Sequence, residues 1–145
     1  MLPSSTYMSA VPLDAGARRP TGRVLVVDDE FLIRWSLRER LVADGFDVVE
    51  AGSGAGARAA VKTDRFDVII LDVRLPDADG LGLLAEFLVV QPAEIIMITA
   101  HGSEEMADEA RKMGAYAFMR KPFDVDYMVE LVCGAIDRAD GESKP

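Results

Sequence analysis

Short apolar runs alternate with amphipathic stretches along this chain, five of each between residues 23 and 138. That alternation predicts an α/β domain built from strand–helix units around a parallel sheet. The first run, Arg23–Val27, is apolar almost throughout, as in a strand covered on both faces. Residues 30–44 then repeat Ile33, Leu37 and Leu41, with Arg34, Arg38 and Glu39 on the other side; this predicts a helix that Gly45 stops. The run 46–50 is flanked by charges and suits a sheet edge. A weak helix starts near Ser53, with Gly54 and Gly56 in its first turn.

The third strand is expected over 67–71. It is followed by a helix from Asp79-Gly80 that buries Leu81, Leu84 and Leu88 and ends before Pro92. The fourth strand covers 94–98. The fourth helix takes Ser103 as N-cap, carries Glu104 and Glu105 in its first turn and Arg111-Lys112 near Gly114 at its end. Its apolar stripe is thin, with Met106, Ala107, Ala110 and Met113, so it should shift more easily than its neighbours. The fifth strand spans 115–119, and the last helix presents Met128, Leu131, Val132, Ala135 and Ile136 on one face. Right-handed crossovers with helices on both faces lead to a single doubly wound (βα)5 domain, flavodoxin-like, with strand order 2-1-3-4-5. Residues 1–22 read as a flexible N-terminal tail, 23–138 as the domain and 139–145 as a short polar end.

Composition narrows the partners. Sixteen basic against twenty-five acidic residues give a net charge of −9, which argues against direct nucleic-acid or anionic-membrane binding. No run is long enough to span a bilayer, and the start lacks a signal-peptide pattern. The single cysteine, Cys133, fits a reducing cytoplasm and reads as a small buried hydrophobe.

The polar residues at the strand ends carry the chemistry. Asp28, Asp29 and Glu30 follow the first strand, Asp72 the third, and Lys121 the fifth, while Asp77 and Asp79 sit in the loop after Asp72. Strands one and three are neighbours in the expected order, so these acids meet at the switch point. Carboxylates gathered there repel one another unless a cation joins them, and the set suggests a Mg²⁺ site with one carboxylate left to react.

Four motifs at those strand ends, Val26-Val27-Asp28-Asp29-Glu30, Leu71-Asp72-Val73-Arg74-Leu75-Pro76, Ile98-Thr99-Ala100 and Lys121-Pro122-Phe123, stand in order at suitable separations. Together they resemble the bacterial response-regulator receiver domain of two-component signalling. The runs Ile33-Arg34-Trp35 and Ile98-Thr99-Ala100-His101-Gly102 are most similar to receivers of σ54-dependent activators. The resemblance implies that Asp72 is the phosphoacceptor. Asp29 would be a direct Mg²⁺ ligand and Asp28 a water-mediated one, with Asp72 and the backbone carbonyl of Arg74 completing the protein share. Lys121 would be the counter-cation, Thr99 and Phe118 the switch pair, and Glu30, Arg74 and His101 modulators.

The same resemblance implies a phosphorelay switch rather than an enzyme. A sensor histidine kinase or phosphotransfer protein would supply the phosphoryl group. A downstream protein or an output domain would read the face made by the fourth helix, fifth strand and fifth helix, a face that also suits a homodimer. Asp72, acting with Lys121 and Thr99, would promote its own phosphorylation and dephosphorylation.

Competing readings remain at this point. An aspartyl-phosphate hydrolase also uses Asp and Mg²⁺, but it wants a second Asp two residues after the nucleophile, where Arg74 stands. A flavodoxin-like cofactor carrier needs a phosphate cradle where Asp28-Asp29-Glu30 would repel phosphate. The chain also reads as a receiver fragment of a longer activator. Taken singly, the acids are ordinary caps or solvated loop residues, with Asp77 and Asp79 serving a turn and a helix cap.

Overall fold

The computed structural model describes residues 22–143. The expected tail over 1–22 therefore lies outside the described residues except for Gly22. Five parallel strands form one sheet: β1 (Arg23–Val27), β2 (Asp47–Ala51), β3 (Val68–Asp72), β6 (Glu94–Thr99) and β7 (Ala117–Arg120). Two short strands, β4 (Arg74–Leu75) and β5 (Ala78–Asp79), pair as an antiparallel ribbon after β3. The sheet order is β2-β1-β3-β6-β7. The expected order 2-1-3-4-5 is amended accordingly, because the residues read as a plain loop after Asp72 form a ribbon of their own.

Five helices cover the sheet: α1 (Phe31–Ala43), α2 (Gly54–Thr63), α3 (Gly80–Val90), α4 (Glu104–Met113) and α5 (Val125–Ser143). Alternation along the strands splits the core in two. Leu25, Ile69, Leu71, Ile95 and Met97 face α2, α3 and α4, whereas Val24, Val26, Ile70, Ile96 and Ile98 face α1 and α5. All five residues of β3 are buried, which follows from its place between β1 and β6.

Local signals set most helix ends. Ser53 and Ser103 cap α2 and α4, their hydroxyls accepting from Gly56 N–H at 3.0 Å and Met106 N–H at 3.1 Å. Gly45 and Gly114 adopt positive φ after α1 and α4. The last helix runs on to Ser143, past the boundary expected at residue 138.

The face of α3 differs from the expectation. Leu83, Leu84 and Phe87 are its buried core residues, and Leu81 and Leu88 pack only partly. Apolar residues occupy nearly every position of this helix, so periodicity leaves its rotation open. Gly80 settles it: a Cβ there would lie 2.4 Å from Val73 Cα, so the helix starts hard against the β3 end. Cys133 is also only partly buried, against the α1/α5 side of the core.

Candidate functional site

Parallel register brings the predicted acids together. Val27 pairs with Leu71 and Asp72 with Ile98, so Asp28 and Asp72 emerge side by side from adjacent strands. Asp28 is fully buried and Asp72 nearly so, while Asp29 and Glu30 are exposed. Each buried acid is held by a local turn. Asp28 Oδ1 accepts from Glu30 N–H at 2.8 Å, and Asp72 Oδ1 accepts from Arg74 N–H at 3.0 Å.

Lys121 enters from the end of β7, where its N–H donates to Thr99 O at 2.8 Å. Its ammonium lies 2.8 Å from Asp28 Oδ2, 2.7 Å from Glu30 Oε2 and 3.2 Å from Asp72 Oδ2. Burial opposes the charge on Lys121, but bonding to Asp28 and Glu30 outweighs it and raises the pKa, keeping the ammonium protonated. For Asp28 the balance runs the other way. Burial raises its pKa above the ordinary value, against the lowering by Lys121 and the Glu30 amide, and the nearby Asp72 raises it further.

One ammonium does not balance this cluster. Asp28, Asp29, Glu30 and Asp72 each bring a carboxylate oxygen to within 4.8 Å of the others. Four carboxylates against one lysine leave three formal negative charges. The buried Asp28 Oδ2 has its ion pair with Lys121 but no directed hydrogen bond among the described residues. All-oxygen donors, surplus negative charge and an incompletely satisfied buried oxygen fit a small divalent cation.

Thr99 is fully buried at the end of β6, and its hydroxyl is engaged with the loop backbone. It accepts from His101 N–H and donates to His101 O, both at 3.1 Å. Phe118 is half-buried beside it: a Cβ on Gly102 would meet Thr99 Cγ2 at 2.6 Å and the Phe118 ring at 2.9 Å. The Arg74 and His101 side chains are exposed. The peptide bond between Lys121 and Pro122 is cis.

Three contacts were not foreseen from sequence. Glu30 shares Lys121 with the two buried aspartates. Arg34, expected to face away, folds back so that its guanidinium donates to Asp28 O at 2.7 Å and pairs with Glu50 at 3.2 Å. Asp77 accepts from the amides of Gly54 and Ala55 at 2.7 and 3.0 Å, so it caps α2 rather than its own turn. Those amides hold its pKa below the ordinary value. Asp79 stands at the α3 N-cap without a side-chain bond to it. The only sequence signal for any of these is a charged residue within reach of a strand end.

With this geometry in place, similarity to known proteins is decisive. The family model for the response regulator receiver domain matches residues 24–133. The chain belongs to that family. It is 34% identical over 132 residues to the transcriptional regulatory protein PdtaR of Mycobacterium tuberculosis, covering 90% of this chain and 64% of the relative. It is 36% identical over 125 residues to the DNA-binding transcriptional regulator NtrC of Escherichia coli, covering 86% of this chain and 27% of that protein. The receiver thus spans under two thirds of either relative's length. The likeness to NtrC agrees with the resemblance of the Ile33–Trp35 and Ile98–Gly102 runs to receivers of σ54-dependent activators. The solution structure of the beryllofluoride-activated NtrC4 receiver domain dimer superposes with a TM-score of 0.76 at 38% identity, covering 80% of this chain and 97% of that one. Among the described residues, no helix is long and apolar enough to cross a membrane.

Proposed function

We propose that this receiver is a phosphorylation-dependent switch whose phosphoacceptor is Asp72. The observation that carries the reading is the convergence of Lys121, from the end of β7, on Asp28 and Glu30 after β1 and Asp72 at the end of β3. Asp29, Asp72 and the Arg74 carbonyl would hold Mg²⁺ directly and Asp28 through water. The ion would offset the carboxylate charge and that of the incoming phosphoryl oxygens.

The remaining work belongs to the chain's own groups. An Asp72 carboxylate oxygen attacks the phosphorus of a phosphohistidine on a kinase or phosphotransfer protein. The phosphorus–nitrogen bond breaks, its electron pair leaves with the imidazole, and an aspartyl phosphate forms. Lys121, already 3.2 Å from Asp72 Oδ2, follows the negative charge onto the phosphoryl group. Thr99 gives up its bonds to His101 and donates to a phosphoryl oxygen, and Phe118 moves into the space it leaves. A phosphoryl group adds about −1.5 to −2 charge, so it favours the arrangement in which Thr99 and Lys121 close on it.

The output is read on α4, β7 and α5. A groove of about 380 Å³ there is lined by residues including Ala107, Arg111, Phe118, Phe123 and Tyr127. Its floor contains the switch aromatic, so a change at Thr99 alters the surface offered to a target protein, an output domain or a second receiver. The beryllofluoride-activated NtrC4 receiver domain is a dimer, which supports pairing between two receivers. We place the switch in the cytoplasm, with residues 23–138 as the working domain.

The direct test is incubation with Mg²⁺ and acetyl phosphate, followed by intact mass. One phosphoryl group adds to the wild type, and none adds to Asp72→Asn or after Mg²⁺ is chelated. Unchanged labelling of Asp72→Asn would sink the assignment.

A further inference from the structure

The metal-site half that comes from β3 is carried on the ribbon β4–β5, and that ribbon is tied down at both ends. At its base, Gly80 N–H donates to Val73 O at 2.7 Å and Val73 N–H to Ile98 O at 2.9 Å. At its tip, Asp77 reaches across to α2, where both carboxylate oxygens are used, Oδ1 by Gly54 N–H at 2.7 Å and Oδ2 by Ala55 N–H at 3.0 Å. These amides open α2, and the dipole there favours the carboxylate charge. The anchor point is not an arbitrary piece of surface. The turn leading into α2 begins at Ala51, whose carbonyl accepts from Asp28 N–H at 3.1 Å. A single short turn therefore holds the backbone of Asp28 on one side and the ribbon tip on the other.

We propose that Asp77 is a positioning residue for the cation and the phosphoacceptor. It links the Asp72–Arg74 half of the site to the turn that fixes the Asp28 half. It touches neither the ion nor the phosphoryl group. Its effect is to hold the ribbon, and with it the Arg74 carbonyl and the amide that donates to Asp72 Oδ1, at one distance from β1. The inference deepens the proposed function and rests on its reading of the Arg74 carbonyl as a ligand. Groups that orient ligands without touching the metal commonly change affinity by about 10–100-fold.

The experiment compares wild type, Asp77→Asn and Asp77→Ala in the full chain, without any phosphodonor. Mg²⁺ affinity is measured by calorimetry, and amide hydrogen exchange is followed in metal-free protein. Asp77→Ala is expected to bind Mg²⁺ about tenfold more weakly, and Asp77→Asn, which keeps one carbonyl acceptor, recovers part of the loss. Exchange in Asp77→Ala should quicken at Gly54 and Ala55 and also at Arg74, whose amide is bonded to Asp72. Quickening confined to Gly54 and Ala55, with unchanged Mg²⁺ affinity, would make Asp77 a local helix cap and overturn the proposal. Should Asp77→Ala not fold, the same comparison is made on Asp77→Asn. A wild type that fails to bind Mg²⁺ would defeat the metal reading instead, and the Arg74 exchange rate would still decide whether Asp77 steadies the ribbon.

Discussion

Asp28 shows what the site costs the fold. It is fully buried, it faces Asp72, and its pKa is raised chiefly by loss of solvent. A carboxyl whose folded pKa lies above its unfolded one favours folding below its ordinary value, about 4, and loses that contribution as pH rises through the raised value. At neutral pH, folding therefore has to bury an unfavourable charge. Asp28→Asn is expected to stabilise the metal-free protein at pH 7, with the gain shrinking as pH approaches 4. Urea denaturation in chelator across that range measures it, and a mutant less stable than wild type at pH 7 would contradict the account. Asp28, Asp72 and Lys121 are legible as site residues because each adjoins an apolar strand in sequence. The contact of Glu30 with Lys121 and the roles of Arg34 and Asp77 were not, since these partners at Lys121, Asp28 O and α2 are chosen by where the loops run.

Elements were legible where capping and period agreed. Ser53, Ser103, Gly45 and Gly114 mark helix ends by local chemistry that needs no tertiary partner. The phase of α3 was not legible, because Gly80 packs on Val73, a contact outside the helix. Gln91, just beyond that helix, shows the same dependence. Its buried side chain accepts from Phe66 N–H at 2.7 Å and donates to Val61 O at 3.2 Å and Asp64 O at 3.0 Å, tying the end of α2 to the approach to β3. Gln91→Leu keeps the volume but strands these buried groups, and should cost about 2–3 kcal/mol. Denaturant unfolding would measure the loss; a change within about 0.5 kcal/mol, the usual range for ordinary surface substitutions, would show that the clamp carries no weight.

At the scale of the whole molecule, a cation held by the acid cluster would make folding and cation binding one linked equilibrium. Mg²⁺ at about a hundred times its dissociation constant should stabilise the domain by about 2.7 kcal/mol, because the unfolded chain does not gather these carboxylates. A thermal melt with and without Mg²⁺ reads this as a rise of several degrees in Tm, absent in Asp29→Asn. An equal rise in that mutant would place the ion elsewhere. The net charge of −9 points the same way, toward cations and basic protein surfaces.

Residue order alone determined the strand–helix alternation, the placing of acids at strand ends and the family motifs, because hydrophobic period, capping and adjacency act over a few residues. Packing decided the ribbon, the rotation of α3, the sharing of Lys121 among three carboxylates and the reach of Asp77 to α2. Those contacts join segments far apart in the chain, and their geometry exists only once the sheet has brought its strand ends together.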